Sequence, residues 1–218
     1  GNATITEYQG NVSALSIPDT LDGHKVVGIG DYVFENKTQL RVVVIPDSVK
    51  SIGYYTFANC SNLSSVTLSK NLTEIGGETF QNCGALTSIE IPKSLETLRM
   101  YGHGSFEGCD NLKNVTFEKG TTRIVEYLFK NCPGIEQIEM PDTVTEIQEQ
   151  AFYGCKNLRS IKIPDSVAII GESAFYGCTV LTEIVIPDSV TNIKNYAFEY
   201  CTALTEIVIP DSVKSIGY

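Results

Sequence analysis

The chain has 218 residues, of which 42% are hydrophobic, and it carries a formal net charge of −10. This acidic balance argues against a nucleic-acid partner, because binding phosphates requires a basic stripe. No apolar run approaches the ~18 residues that a membrane-spanning helix needs, so we expect no membrane insertion of this segment.

The strongest signal along the chain is an internal repeat. A Phe recurs in steps of 23 residues with a single step of 26, and a Cys follows three residues after every repeat Phe but the first, where Lys37 stands. The repeat Phe positions are Phe34, Phe57, Phe80, Phe106, Phe129, Phe152, Phe175 and Phe198. A fixed period of this length is typical of a solenoid, in which each unit stacks on its neighbours.

The spacing within one unit predicts its local structure. Leu181, Ile184 and Ile186 follow the pattern L-x-x-I-x-I, and the alternation of the last two predicts a short strand with one buried face. Pro187 ends this strand because proline cannot donate to a ladder, and the Pro-Asp-Ser sequence favours a turn. The spacing Val190-x-x-Ile193 then predicts a second extended run.

The rest of the unit must return the chain to the next strand. Gly often follows the last Ile, as at Gly53 and Gly76, which predicts a bend or a left-handed residue. The segment Ala-Phe-x-x-Cys is too short for a full helix and predicts a 3₁₀ or single α-turn. Stacked units pair their strands in parallel at ~4.8 Å and place Ile, Phe and Cys above one another. We therefore predict a β-rich repeat solenoid of about 8–9 repeats of 23 residues.

The composite pattern C-x-x-L-x-x-I-x-I-P-x-S-V-x-x-I-G-x-x-A-F resembles the BspA-like leucine-rich repeats, also called the Treponema pallidum type, over nearly the whole chain. The resemblance implies a leucine-rich-repeat right-handed superhelix with a concave parallel sheet. It also implies a bacterial or protozoan cell-surface protein, often an adhesin for host matrix proteins or other microbes. Three departures stand out: Leu68-Ser69 and Phe117-Glu118 replace Ile-Pro, and three extra residues precede Phe106.

We expect one leucine-rich-repeat solenoid over residues 1–218, with residues 1–30 forming an N-terminal capping first repeat and 31–218 the other repeats, the last incomplete. The segment 17–30 resembles the usual first repeat of the family with five extra residues. We interpret the chain as a fragment of a longer surface protein whose signal and anchor lie outside it. The expected localisation is therefore extracellular, at the cell surface.

The candidate binding surface is the outward side of the L-x-x-I-x-I strands, because a solenoid presents such side chains as an extended rigid array. Its Ser, Thr and Glu could equally form a plain solvated face, but the outward Val residues favour contact with a partner, since apolar patches often mark interfaces. The candidate residues are Val42, Val44, Thr67, Glu90, Thr116, Glu139, Lys162, Glu183, Val185, Glu206 and Val208.

Two other features vary between the repeats. The insertion before Phe106 contains two Gly and must bulge outward, and projecting loops often carry function, so Tyr101 and His103 join the candidate binding residues. Most of the 11 Tyr lie within three residues of a repeat Phe. They could line an interaction surface, but we favour the interpretation that each ring covers the neighbouring Phe turn.

The remaining reactive residues have structural interpretations. The seven Cys share one position in the repeat and predict a buried ladder of free thiols rather than disulfides. Their spacing matches no zinc motif, and the stacked turn Asp residues are interpreted as turn formers rather than calcium ligands. We expect no metal and no cofactor. The two His lie in irregular segments and no catalytic motif stands in a fitting context, so we expect no enzyme.

Two functional hypotheses follow. In the first, the chain is an adhesin-type binding module that recognises a protein or a glycan through its concave face and edge loops. In the second, it is a structural spacer in a longer surface protein that binds its ligand elsewhere. A solenoid normally needs a polar cap on its last unit, so the uncapped C-terminal repeat also predicts end-to-end self-association.

Overall fold

The chain winds into a stack of coils made of short parallel strands and turns. The computed structural model describes residues 1–99 and 102–218, and no helix occurs within them. Each coil contributes two strands on different sides of the stack, as the two extended runs of the repeat predict. The described part contains no helix that is long and apolar enough to cross a membrane.

The first series of strands forms from the L-x-x-I-x-I segments. Its members are β2 (Ala14–Ser16), β5 (Val42–Val44), β7 (Ser65–Thr67), β9 (Ser88–Ile91), β11 (Asn114–Phe117), β13 (Gln137–Glu139), β15 (Ser160–Lys162) and β17 (Glu183–Val185). In each three-residue strand from β5 onward the central residue is buried while its neighbours face outward. We call the surface formed by the outward side chains of this series the strand face.

The second series forms around the Ile or Leu that ends V-x-x-I. Its members are β1 (Asn2–Ile5), β4 (His24–Ile29), β6 (Ser51–Ile52), β8 (Glu74–Gly76), β10 (Thr97–Arg99), β12 (Arg123–Ile124), β14 (Glu146–Ile147), β16 (Ile169–Ile170), β18 (Asn192–Ile193) and β19 (Ser215–Ile216). One strand lies outside both series: β3 (Thr20–Leu21) pairs antiparallel with β4. The resulting hairpin turns through Asp22 and Gly23, which have φ of 50° and 76° and suit its tight connection.

Pairing between coils is parallel and places like residues beside like residues. Val43 pairs with Val66, and Ile161 pairs with Ile184. The strand face nevertheless consists of three sheets, β2-β5-β7, β9-β11 and β13-β15-β17. The second series divides into β1-β4-β6-β8-β10 and β12-β14-β16-β18-β19. The predicted parallel solenoid is confirmed, with interruptions that the repeat period alone does not show.

One predicted strand does not form. The segment containing Glu206 and Val208 matches the repeat pattern, yet it has no strand pairing, and its inward Ile207 is only partly buried. The prediction of a strand was wrong there, although β19 in the same coil pairs with β18. Conversely, β1 was not predicted from the sequence. It pairs with β4 and occupies the place of a preceding second-series strand.

The Ala-Phe-x-x-Cys segments form tight turns, as predicted, but without becoming 3₁₀ helix. Alternate amides bond within the turn, as from Ala58 to the Tyr55 carbonyl at 3.1 Å. The intervening amides donate to the next coil, as from Phe57 to the Thr79 carbonyl at 2.8 Å. A 3₁₀ helix would need every amide for its own i+3 bonds, so stacking replaces helix here. We call the surface formed by residues within three positions of each repeat Phe the turn face.

The left-handed positions of the repeat lie on the turn face, two residues before and two residues after the Phe. Tyr32 and Asn36 have φ of 62° and 59° on either side of Phe34. Of the two alternatives predicted for this glycine, a bend or a left-handed residue, the second does not apply to Gly53, which lies where the chain leaves β6 and enters the turn. A Cβ at Gly53 would lie 2.6 Å from the backbone carbon of Gly30. Close approach of neighbouring coils therefore accounts for this glycine.

The core is one continuous column that runs along the stack. The repeat Phe rings from Phe34 to Phe198 stack at centroid distances of 4.9 to 5.7 Å. Neighbouring rings are nearly parallel, which is an arrangement that aromatic pairs favour when offset. The Ile, Val and Leu of both strand series surround this column. Burial of these side chains between coils supplies the main hydrophobic stabilisation.

Candidate functional site

The strand face presents the predicted binding residues as an ordered array. All eleven predicted positions are solvent-exposed; nine lie on strands of the strand face, and Glu206 and Val208 lie in the unpaired segment of the next coil. Parallel register brings Thr67 beside Val44, and Val185 beside Lys162. Their exposure agrees with the sequence analysis, while their role in binding stays a prediction.

Two clefts open where the strand face is interrupted. The first lies between β7 and β9, has a volume of about 290 Å³ and is lined by residues that include Thr67 and Glu90. The second lies between β11 and β13, has a volume of about 410 Å³ and includes Thr116 and Glu139 in its lining. Each interruption follows a coil in which Ile-Pro is replaced, by Leu68-Ser69 and by Phe117-Glu118.

A side chain that replaces proline contributes to the first cleft. Glu118 pairs with the Lys93 ammonium at 3.3 Å and accepts a hydrogen bond from the Lys93 backbone amide at 3.1 Å. The backbone hydrogen bond, together with the nearby ammonium, lowers the pKa of the Glu118 carboxyl below its usual range. Glu118 thus contributes a fixed negative charge to this cleft.

The strand face becomes apolar toward its C-terminal end. Val185 is 77% exposed and Val208, 23 residues later at the equivalent position, is 69% exposed. Together with Ile209 they line a cleft of about 500 Å³. The last coil also leaves Ile216 exposed. The self-association predicted for this end stays a prediction.

The turn face carries two tyrosine clusters. In the early coils Tyr32 stacks on Tyr55, with centroids 5.2 Å apart, and contacts the edge of Tyr54. In the later coils Tyr153 and Tyr176 stack at 4.6 Å. These rings pack on one another along the stack, whereas the sequence analysis favoured the interpretation that each ring covers the neighbouring Phe turn. Tyr127 fits that interpretation better, since it is buried against the core.

A second cluster on the turn face involves the three-residue insertion. His103 from the insertion lies 3.4 Å from Glu78 of the preceding coil, measured from Nδ1 to Oε1. Glu107 completes a group whose possible ligand atoms all lie within 4.8 Å of one another. Tyr101, the other predicted residue of the insertion, lies outside the described residues. Sequence analysis singled out His103 but missed both glutamates.

The signal for the missed glutamates was present in the repeat alignment. Glu78 lies two residues before Phe80, and Glu107 lies one residue after Phe106. Both positions lie on the turn face, Glu78 buried and Glu107 partly exposed, but in neighbouring coils, and the inserted His103 lies between them. Only the hydrogen bonds between coils, such as that from the Glu78 amide to the Gly104 carbonyl at 3.0 Å, bring these positions together.

All seven cysteines are buried free thiols. Burial raises the pKa of the Cys60 and Cys201 thiols to about 11 and that of Cys109 to about 12. Each thiol donates a hydrogen bond to a carbonyl of the preceding coil, as from Cys83 to Phe57 at 3.3 Å. The Cys position is therefore part of the coil–coil contact.

Comparison with known proteins places these observations in a family. The stacked coils define a leucine-rich-repeat solenoid. The family model described as "BspA type Leucine rich repeat region (6 copies)" matches residues 27–159 and 122–218, and the chain belongs to this family. Repeats of this kind are typically non-enzymatic modules for protein interaction. None of the curated proteins compared with the chain matches it.

Two solved structures show the same architecture. The leucine rich repeat protein of T. pallidum is 27% identical over 97% of this chain and 84% of that chain, with a TM-score of 0.63. A leucine rich cell surface protein from Faecalibacterium prausnitzii is 32% identical over 99% of this chain and 68% of that chain, with a TM-score of 0.66. The likeness extends over nearly all of the coils described above.

Proposed function

We propose that the chain is an extracellular binding module of adhesin type that recognises a protein through its strand face. The observation that carries this proposal is the exposed pair Val185 and Val208, aligned on successive coils beside a cleft of about 500 Å³. Aligned apolar side chains on a rigid surface favour contact with another macromolecule, because burying them removes apolar area from water.

The rest of the strand face suits the rim of such an interface. Glu183 and Lys162 flank Val185 with opposite charges, and polar residues line the two clefts nearer the middle of the stack. Protein interfaces commonly combine an apolar centre with a polar border that hydrogen-bonds to the partner or to water. A glycan ligand would instead depend mainly on the polar clefts and less on the two valines.

A location at the cell surface is supported by the relatives. The F. prausnitzii protein is named as a cell surface protein, and it shares 32% identity with this chain. An extended rigid array is also well suited to contact with large partners, because it requires little ordering on binding.

The proposal is tested by probing the chain against arrays of extracellular matrix proteins and of glycans. For any protein that binds, we expect Val185→Lys and Val208→Lys each to weaken binding by at least tenfold, which corresponds to about 1.4 kcal/mol. The matched control is Ser61→Lys, which introduces the same ammonium at an exposed position outside the strand face, four residues after Phe57.

The controls also separate the alternatives. Loss of binding in Ser61→Lys but not in Val185→Lys would move the site away from the strand face. Binding confined to glycans and unaffected by the valine changes would contradict the protein-binding proposal. A folded chain that binds no array component would support the spacer hypothesis, in which the ligand is bound elsewhere.

A further inference from the structure

The side chains of Glu78, His103 and Glu107 converge where the insertion meets the preceding coil. One nitrogen or oxygen from each lies within 4.8 Å of the others. The donor set is one imidazole and two carboxylates. With a neutral imidazole this set carries two negative charges, which a divalent cation would balance.

The burial of the Glu78 carboxylate is not explained by the stacking of the turns alone. It is only 5% exposed, and its Oε2 atom is buried without a hydrogen-bond partner among the described residues. In the same part of the chain its carboxylate makes no ion pair with a Lys or Arg. Burying an uncompensated carboxylate oxygen is costly unless a cation or a donor faces it.

The backbone conformation of Glu78 belongs to the repeat, whereas its buried carboxylate does not. Its φ is +55°, in the left-handed region, where a non-glycine side chain carries a strain of roughly 1 kcal/mol or more. Equivalent positions in other coils include Tyr55 and Tyr127, which are also left-handed. The turn therefore requires the backbone conformation, but it does not require a buried carboxylate at this position.

Neighbouring side chains hold the two carboxylates in place. Gln81 Nε2 donates to Glu78 Oε1 at 2.7 Å, and Asn131 Nδ2 donates to Glu107 Oε1 at 3.3 Å. Hydrogen bonds of this kind orient metal-binding carboxylates in known sites.

We propose that Glu78, His103 and Glu107 bind a Zn²⁺ ion on the turn face. An imidazole nitrogen with carboxylate oxygens is a donor set that zinc accepts, whereas calcium and magnesium prefer oxygen ligands alone. Tetrahedral ligands at about 2.1 Å from zinc lie roughly 3.4 Å apart. His103 Nδ1 and Glu78 Oε1 are already 3.4 Å apart.

Closing the site requires only a small movement. The other ligand atoms lie within 4.8 Å and must approach by little more than 1 Å to reach tetrahedral spacing. His103 is exposed and Glu107 is partly exposed, so both side chains have room to move, while Glu78 is fixed by the core. Three protein ligands leave a fourth position open to water or to a donor from a partner.

The proposal is tested by titrating the full chain with ZnCl₂ in a calorimeter. We expect one ion per chain, and we expect His103→Ala and Glu107→Gln each to lower the affinity by at least about tenfold. His24→Ala is the matched control, because His24 is the only other histidine and lies in the N-terminal hairpin; it should keep the wild-type affinity. Saturable binding that survives the double change His103→Ala/Glu107→Gln would overturn the proposal, as would no binding.

Two further measurements separate this site from the seven thiols and from a structural role of Glu78. Cobalt bound in place of zinc should show no thiolate charge-transfer band; such a band would assign the metal to cysteines and contradict the proposal. Glu78→Gln should abolish zinc binding while leaving the Tm of the metal-free protein at least as high as in the wild type. A lower metal-free Tm together with unchanged zinc affinity would show that Glu78 serves only the fold. Neither result depends on whether the strand face binds a protein.

Discussion

Individual side chains in this protein act mainly through the coil before or after their own. The Phe ring lies on the next Phe ring, and the Cys thiol donates to a carbonyl of the preceding coil. The left-handed residues of the turn face allow every second amide to point toward the following coil. A residue's contribution is therefore set by its place in the repeat and by what occupies the same place one coil away.

The left-handed positions make a prediction at the residue scale. Asn36 is exposed, has a φ of 59° and can adopt this conformation more readily than most residues. Asn36→Ala should lower the free energy of unfolding by about 1 kcal/mol, because alanine is strained there. Asn36→Gly should change it little or raise it slightly. Urea denaturation of the three proteins checks this, and equal stabilities of the Ala and Gly variants would contradict it.

The contact between coils depends on a hydroxyl in the Pro-x-Ser turn that connects the two strand series, which is Pro-Asp-Ser at Ser48 and Ser189 and Pro-Lys-Ser at Ser94. Ser94 donates to the Leu72 carbonyl at 2.7 Å, and Ser189 donates to the Val167 carbonyl at 2.7 Å. The sequence analysis assigned only turn formation to this segment. Ser48, at the same position in an early coil, is buried, but its Oγ has no hydrogen-bond partner among the described residues. The preceding coil there contains the N-terminal hairpin.

This contrast predicts opposite effects of one substitution at equivalent positions. Ser189→Ala should lower the free energy of unfolding by about 1 kcal/mol, since the Val167 carbonyl loses its donor inside the stack. Ser48→Ala removes a buried hydroxyl that has no partner and should be neutral or slightly stabilising. Chemical denaturation monitored by circular dichroism measures both. Equal losses in the two variants would mean that the hydroxyls act by some means other than these bonds.

At the scale of the whole molecule, contacts are made only between neighbouring coils, so stability is a sum of similar steps along one axis. The sequence predicted this architecture well, because the residue types at Ile184, Phe175 and Cys178 recur at fixed spacing along the chain. Predicting the stack therefore requires no knowledge of which distant residues are in contact. It could not predict the metal-binding group, because the proximity of Glu78 and Glu107 depends on how far one coil is offset from the next. It also missed the breaks after β7 and β11, although the replaced Ile-Pro pairs mark both places.

The burial of the stacked thiols predicts the order in which local unfolding exposes them to solvent. Because their pKa values are raised by burial, the thiols stay protonated and unreactive at neutral pH. Cys201, in the last coil and 7% exposed, should be alkylated first by iodoacetamide, and the fully buried Cys132 and Cys155 last. Mass spectrometry of the native protein over time gives the order, and central thiols reacting as fast as Cys201 would contradict opening from the end.

The pH dependence of this labelling has a defined sign. A thiol whose pKa is higher in the folded than in the unfolded protein stabilises the folded state, and this contribution is complete below the ordinary thiol pKa. The contribution is lost as the pH rises through the folded value, which is about 11 for Cys60 and Cys201. Labelling should therefore accelerate and the Tm should fall above roughly pH 8.5, the ordinary thiol pKa. The Cys60→Ala/Cys201→Ala protein should lose less stability over the same interval.

The bonds across each coil boundary mostly join residues 22 to 26 positions apart, and the donor and acceptor types are the same at almost every boundary. The protein thus has the translational order of a one-dimensional crystal. A whole coil could be duplicated or deleted and each new neighbour would find the partner that the old one had, while the axis would change by a lattice step of about 4.8 Å. Recombination between repeats could in this way set the reach of such a molecule without redesigning its interior.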